Sequence, residues 1–566
     1  MKCFYKIQSP GVKRPNPLDM GYLQWRLEAM RDDRSKERIA YPANLSILIV
    51  SVAAGTFLHL EEGGRGNHDE GWFLALALSP SRVYVILAAT FLVTFLGAMH
   101  ALKLERYRGM CLRELHRRYD LSEMGFLPRT PVGRLSSADF PEFKAWEGIS
   151  TRMPELIRGD LKTFRSAVLA LPCATADDLS PVAKDGKALR RLYVLFGQLV
   201  HSWVHGHLPS WDSEEEEGPD YAWGKSKGGA SERAQPPMEE GKVVVPAQLA
   251  VPFRFACEHL GLPMVLTAAG TDCWNWRLPG STGASPEEFE ATKLEQLHCV
   301  SSITGTDAER YFHMVPCAMQ AAAGSILPDL LRIPEYLCSS QNYAAGAALI
   351  KCLDGMERVL RAWRVLFDRI PGLVDRRFFF DVYRHILNGF YPHGIVLRLD
   401  PNNRPGKKDE TVAPKGPSAG QSTIVMIFDK ILGVRHAAGA PTRDDEASDG
   451  SEMRSFQHEM RSYMPGKHRM LLEHFDTAMR ASGHDSVRHY LAAGEGGRWR
   501  KRLQTAYDGA ATALADLRRT HLGVVTAFLT RTNTGTGASS FRSLLKEALD
   551  NTSAVVGTGE KGANSI

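Results

Sequence analysis

The sequence predicts an all-α protein, and three observations carry that prediction. Apolar or weakly polar positions recur at alternating steps of four and three through Leu503, Tyr507, Ala510, Leu514, Leu517, His521, Val524 and Phe528, the spacing of one face of an amphipathic helix. A second stripe of the same kind runs through Leu349, Leu353, Met356, Leu360, Trp363, Phe367 and Ile370. Strict apolar–polar alternation, the mark of a half-buried strand, is scarce.

Taken from the N-terminus, residues 1–44 form a polar segment, and the region 45–102 holds two apolar runs free of Asp, Glu, Lys and Arg. Val83 to Leu102 has the length of a bilayer-spanning helix, roughly 30 Å, and Leu45 to Leu60 sits near the short limit. Arg31, Arg34, Lys36 and Arg38 precede the first run, and Lys103, Arg106 and Arg108 follow the second; the intervening loop carries Glu61, Glu62, Asp69 and Glu70. The positive-inside rule then predicts a hairpin anchor with both flanks, and the rest of the chain, facing the cytosol. The alternative is a helical hairpin buried in a cytoplasmic protein. Neither run is placed like a cleavable signal peptide.

Beyond the anchor we expect a smaller helical subdomain over 119–300, a larger one over 301–550, and a disordered tail over 551–566. Polar, breaker-rich stretches at Ser210 to Lys242, Pro401 to Pro417 and Ala437 to Ser451 read as surface insertions, the first of them acidic. Ser418 and Gln421, three apart before the apolar run Ile424 to Leu432, match a capping box. His201, His205 and His207 form the densest histidine cluster, but no acidic or cysteine ligand stands at a diagnostic spacing, so metal binding is not expected there. The nine cysteines are scattered without a Cys-x-x-Cys pair, which fits reduced thiols. A net charge of +5 spread over 566 residues gives no reason to expect nucleic-acid binding.

The most telling residue is His521, because its place in the stripe turns it inward, and a buried imidazole needs either a hydrogen-bond partner or a metal. Arg518 lies one turn earlier on the same face. Phe380 and Arg384 are likewise four apart on one side of a helix, an arrangement able to hold a carboxylate beside aromatic rings.

The segment Leu517-Arg518-Arg519-Thr520-His521-Leu522-Gly523-Val524-Val525-Thr526 resembles the haem-ligand helix of the indoleamine 2,3-dioxygenase family. Four further blocks stand in that family's order: Phe379-Phe380-Asp381-Val382-Tyr383-Arg384, Ser418-Ala419-Gly420-Gln421-Ser422, Arg461-Ser462-Tyr463-Met464-Pro465-Gly466-Lys467-His468-Arg469, and Gly535-Thr536-Gly537. The similarity runs from about Tyr119 to about Leu549. It implies a helical haem domain that opens the pyrrole ring of L-tryptophan with dioxygen to give N-formylkynurenine, the entry to the kynurenine pathway. The implied cofactor is haem b, held by His521, with Arg518 pairing a propionate, Asp429 near it, and Ser418, Ala419 and Val315 bordering the haem.

On the substrate side the resemblance implies Arg384 for the carboxylate, Phe379, Phe380 and Tyr311 for the indole, and Thr536 on a flexible lid with glycine hinges. It also implies a monomeric catalytic region. Val315 and Ala268 stand where the mammalian pattern has hydroxyl-bearing residues. Inserting both atoms of dioxygen needs no net proton supply, so the reaction tolerates their loss. The same two residues motivate the alternatives of a haem or gas sensor without turnover and of an oxygenase acting on another indole or on peroxide; His313 is a reserve distal polar group.

Overall fold

The computed structural model describes residues 112–158, 161–206, 236–278, 294–338, 343–402, 409–436, 456–530 and 540–557, with 92, 95, 532 and 535. The polar N-terminal segment, the first apolar run and all of the second except Leu92 and Phe95 lie outside them, as do Ala437 to Ser451. Among the described residues no single helix is long and apolar enough to cross a membrane. The chain divides into two units, Met1–Leu115 and His116–Ile566, and the second carries every element below.

Helices dominate this unit. Those of nine or more residues are α1 (Lys144–Arg158), α2 (Leu161–Leu169), α3 (Ala176–Lys184), α4 (Gly186–His205), α5 (Ala247–Leu260), α6 (Asp307–Gly324), α7 (Tyr343–Asp368), α8 (Thr423–Leu432), α9 (Gly466–Ala481), α10 (Arg500–Phe528) and α11 (Phe541–Ser553). Their ends follow local chemistry. Thr175 and Asp178 cap α3 reciprocally, Asp185 caps α4, and Thr306 accepts from Glu309 N at 3.2 Å to open α6. Gly433 closes α8 in the left-handed region at φ 71°, which glycine adopts without strain.

Both stripes read from the sequence are core faces. Leu349, Leu353, Met356, Leu360 and Trp363 on α7, and Leu503, Tyr507, Ala510 and Leu514 on α10, are all buried. The two helices run side by side in the same direction, joined from Gly346 against Trp499, through Arg364–Asp516, to Phe367 against His521. At that last contact both stripes loosen, and Phe367, His521 and Val524 are only partly buried.

The all-α expectation needs correction at one place. Strands β1 (Met238–Glu239), β2 (Lys242–Val245), β5 (Ile395–Arg398) and β6 (Asp409–Val412) form a small sheet in that order; β2 pairs β5 in parallel, and β1 and β6 pair antiparallel at the edges. A two-stranded ribbon joins β3 (Trp276–Arg277) to β4 (His298–Cys299). Strands of two to four residues are too short for alternation to show in the sequence. The polar stretches assigned to Ser210–Lys242 and Pro401–Pro417 thus each end or contain a strand. The boundary expected at residue 300 falls inside the compact unit, because the β2–β5 pairing stitches across it. The tail is also ordered further than expected. α11 runs to Ser553, with Thr552 and Val555 buried.

Two members of the histidine cluster take part in the packing. Leu266 N donates to His201 Nε2 at 3.1 Å, so Nδ1 carries the hydrogen and donates to Ile386 O at 2.8 Å. His205 stacks on Phe390, His207 lies outside the described residues, and no group of three metal-ligating side chains occurs among those described. Burial pushes His201 and His468 down from 6.5 to about 4 and His205 to about 3. An unfolded chain takes up these protons near pH 6.5 while the native state refuses them, so their stabilisation is full above that pH and is lost as pH falls toward 4. Denaturant midpoints should therefore drop steadily across that window, and His468→Leu should lessen the slope.

Candidate active site

His521 projects from the last third of α10, where Leu522, Val524 and Val525 also keep part of their apolar surface uncovered, although the stripe from Leu503 to Leu514 is buried. Its ring meets Phe367 edge to face at 5.1 Å. Neither ring nitrogen has a hydrogen-bond partner among the described residues. Desolvation, reinforced by Arg518, pushes its pKa down from 6.5 to about 4. At neutral pH His521 is thus an uncharged imidazole with a lone pair that none of the described residues uses, the state a metal ligand requires.

Arg518, one turn back, is heavily engaged. Its Nη2 donates to both Asp429 carboxylate oxygens at 2.7 Å, while Nη1 donates to Ala548 O at 3.2 Å and to Thr552 Oγ1. His436 Nε2 lies 2.9 Å from Asp429 Oδ2. Burial alone would raise the Asp429 carboxyl, but Arg518 and His436 hold it below the ordinary carboxylate range. This cluster ties α8, α10 and α11 together, and an anion arriving at Arg518 meets a guanidinium already shared with Asp429. The expected proximity of Arg518 and Asp429 is a direct ion pair.

Two π-helical turns shape the other wall. In Phe379–Tyr383 the Arg384 N–H reaches back five residues to Phe379 O, and Asp375 caps the short helix Arg376–Phe378 that leads into it, accepting from Phe378 N at 2.6 Å. In Ala269–Cys273 the Trp274 N–H bonds Ala269 O at 3.0 Å. That second turn is pinned by Tyr193, whose hydroxyl donates to Val265 O at 2.7 Å and accepts from Thr267 N at 2.9 Å. Gly270 permits the approach, since a Cβ there would stand 2.7 Å from the Tyr193 ring.

The first turn delivers the expected pair. Arg384 is buried with its guanidinium 5.4 Å from the Phe380 ring centre, and burial lowers its pKa from the ordinary value. Phe379 packs on Phe312 at 4.8 Å and edge-on to Phe528 at 5.6 Å. Phe528 lies seven residues, two turns, beyond His521, so the rings carry contact from the imidazole's helix to the Arg384 turn.

The remaining candidates are placed unevenly. The Tyr311 ring is only partly buried, under its neighbour Arg310 at 4.1 Å, and Phe312 supplies the α6 ring that meets Phe379. Val315 is wholly enclosed by protein. Ser418 accepts from Gly420 N at 3.3 Å and Ala419 is exposed. The capping box is not formed: α8 starts after Ser422, and Gln421 instead accepts from Ala268 N at 2.9 Å and donates to Gly416 O at 3.0 Å. Gln421 thereby fastens the Ser418–Gln421 turn to the Ala268 turn. Thr536 lies outside the described residues.

A sequence profile of the indoleamine 2,3-dioxygenase family matches residues 115–560, nearly the whole second unit. The chain belongs to that family. It is 25% identical to the 6-hydroxytryptophan 2,3-dioxygenase of Fusarium equiseti over 73% of this chain and 84% of that protein. Identity is also 25% to the indoleamine 2,3-dioxygenase of Saccharomyces cerevisiae, over 78% and 86% of the two chains. With indoleamine 2,3-dioxygenase 1 of Rattus norvegicus it is 25% over 78% and 95%. The protein is accordingly a dioxygenase of a haem-dependent family.

For an indoleamine 2,3-dioxygenase the donor set fits its cofactor: His521 is neutral, without a hydrogen-bond partner among the described residues, and set among incompletely covered apolar side chains. Asp272 and Tyr383, which His313 joins, were missed from the sequence; they lie 41 and 70 residues from it, and no local spacing marks such a contact. Removing the Asp429 carboxylate strands Arg518 in a largely buried position. Asp429→Ala should lower unfolding free energy by about 3 kcal/mol in denaturant titration, and Asp429→Asn by less.

Proposed function

We propose that this protein opens the indole of L-tryptophan, or of a close relative, with dioxygen to give N-formylkynurenine or its substituted counterpart. The observation that carries the reading is His521, neutral and with no hydrogen bond to either nitrogen among the described residues, in contact through its helix with the Phe379–Arg384 wall. His521 would hold haem b, with Arg518 beside Asp429 at a propionate and Ser418, Ala419 and Val315 in the surrounding shell. When bound, the haem iron supplies dioxygen binding and the bond-making chemistry.

The protein's own part is recognition, orientation and exclusion of water. Arg384, desolvated and therefore strongly attracted to an anion, takes the amino-acid carboxylate; Phe379, Phe380, Phe312 and Tyr311 pack the ring system; Thr536 adds a hydrogen bond from its lid. Both oxygen atoms enter the product, so the reaction draws no net protons, in keeping with the aliphatic Val315 and Ala268. A ring-hydroxylated tryptophan is the second reading, favoured by the relative named for 6-hydroxytryptophan. We further infer that the runs 45–60 and 83–102 anchor a cytosol-facing enzyme to a membrane, on their length, apolarity and basic flanks.

The decisive assay supplies reduced, haem-loaded full-length protein with L-tryptophan and air and follows the formylated product by chromatography. Turnover is expected; a haem spectrum without product from any indole overturns the reading. His521→Ala should abolish stoichiometric haem binding while far-ultraviolet circular dichroism is retained. Arg384→Ala should raise KM for tryptophan at least about tenfold, the scale of a lost charge-assisted bond, with haem content kept.

A further inference from the structure

Behind the Phe312–Phe379 contact runs a buried polar chain to which neither haem nor the substrate carboxylate gives a use. The Tyr383 hydroxyl donates to His313 Nε2, and His313 Nδ1 lies 2.9 Å from Asp272 Oδ1. A carboxylate only accepts, so Nδ1 carries the hydrogen. Oδ1 accepts a second bond from Thr271 Oγ1 at 2.8 Å. Oδ2 of the same carboxylate has no partner among the described residues.

The turn around it is largely closed. From Ala268 to Cys273 every side chain is buried except Ala268 and Asp272, which stand four apart and so share its one open face. His313 and Tyr383 are buried, and Phe312 meets both rings edge-on, at 5.3 and 5.9 Å. The imidazole, edge-on to Phe312, therefore cross-links the two π-helical turns and fixes the Asp272 carboxylate. A buried carboxylate is costly unless its hydrogen bonds are satisfied, and this one, with its side chain 20% exposed, keeps Oδ2 open to solvent or to a bound donor. The open acceptor calls for a donor. A substrate carboxylate goes to Arg384 at the end of the neighbouring turn and holds the α-ammonium at that end, and the indole N–H adjoins the pyrrole bond that is opened, so the donor left for Asp272 is one carried by the benzo ring.

We propose that Asp272, oriented by His313 and Tyr383, is a specificity-determining residue that accepts a hydrogen bond from a hydroxyl on the benzo ring of an indole amino acid. This rests on the reading of the chain as a dioxygenase of tryptophan-type amino acids. Asp272 selects among substrates, and His313 is a positioning residue that acts through it.

The test compares kcat/KM of the haem-loaded full-length enzyme for L-tryptophan, 5-hydroxy-L-tryptophan and 6-hydroxy-L-tryptophan. At least one hydroxylated substrate should exceed tryptophan by about tenfold, the scale of one hydrogen bond to a charged group. Asp272→Val should lower that hydroxyl-to-plain ratio about tenfold or more, and His313→Leu should lower it in the same direction. Equal loss on all substrates, or an unchanged ratio, overturns the proposal. If Asp272→Val does not fold by circular dichroism, Asp272→Asn carries the same comparison, because it keeps size while exchanging acceptor for donor at one atom. Absence of product from all three amino acids in the unmodified enzyme counts against the dioxygenase reading instead. Equilibrium dialysis of the same three on wild type and variant then decides the ring-hydroxyl inference by the binding ratio alone.

Discussion

The parallel packing of α7 on α10 is the contact on which the site depends. Over most of its length it is ordinary helix-on-helix burial, with leucines, Met356, Trp363 and Tyr507 removed from water at roughly 1.5–3 kcal/mol for each large side chain. It is cohesive enough to leave its far end incomplete. There Phe367 and His521 meet while neighbouring apolar surface stays uncovered, and the deep core beneath offsets that exposure. Phe528, two turns on, passes the same seam to Phe379 and thus to the Arg384 turn.

Around this seam the backbone departs from regular helix twice, at Ala269–Cys273 and Phe379–Tyr383. A π-helical turn inserts a residue and gives up regular i→i+4 bonding, so it persists only where tertiary contacts over-determine it. Tyr193 and Gln421 hold the first, Asp375 and Phe312 the second, and His313 bonds the two to each other. The result is a wall whose side chains are fixed by partners distant in sequence, the arrangement a binding site needs for pre-organisation. Arg518 plays the corresponding part on the other side, binding Asp429 from α8 and Thr552 from α11 so that the helix carrying His521 cannot rotate freely.

Much of this was legible in the residues. The stripes of α7 and α10 gave helices and their buried faces because the 3.6-residue period is a local property. His521 and the Phe380–Arg384 pair could be placed for the same reason, and the ordered blocks carried the family. Thr552 was hidden in a stretch polar enough to pass for a loose tail, yet its hydroxyl bonds Arg518, and Val555 beyond it is buried. Gln421 offered a plausible cap three residues after Ser418, but its amide found better partners in Gly416 and in Ala268, which folding brings in from far away in the chain. Tyr311 and Phe312 are adjacent aromatics on one helix, and a shift of one position, about 100°, decides which of them reaches Phe379.

The sequence by itself determined helix periodicity, the inward turn of His521 and the juxtaposition of Phe380 with Arg384, since each follows from spacing within a few residues. Only tertiary structure decided that β2 and β5 pair in parallel across the middle of the chain, that Arg518 is shared with Asp429, and that Asp272, His313 and Tyr383 form one chain. The physical reason is that a hydrogen bond or ring contact is set by distance in space, and the path that brings such groups together is fixed by the sum of the packing, not by any spacing that one segment displays.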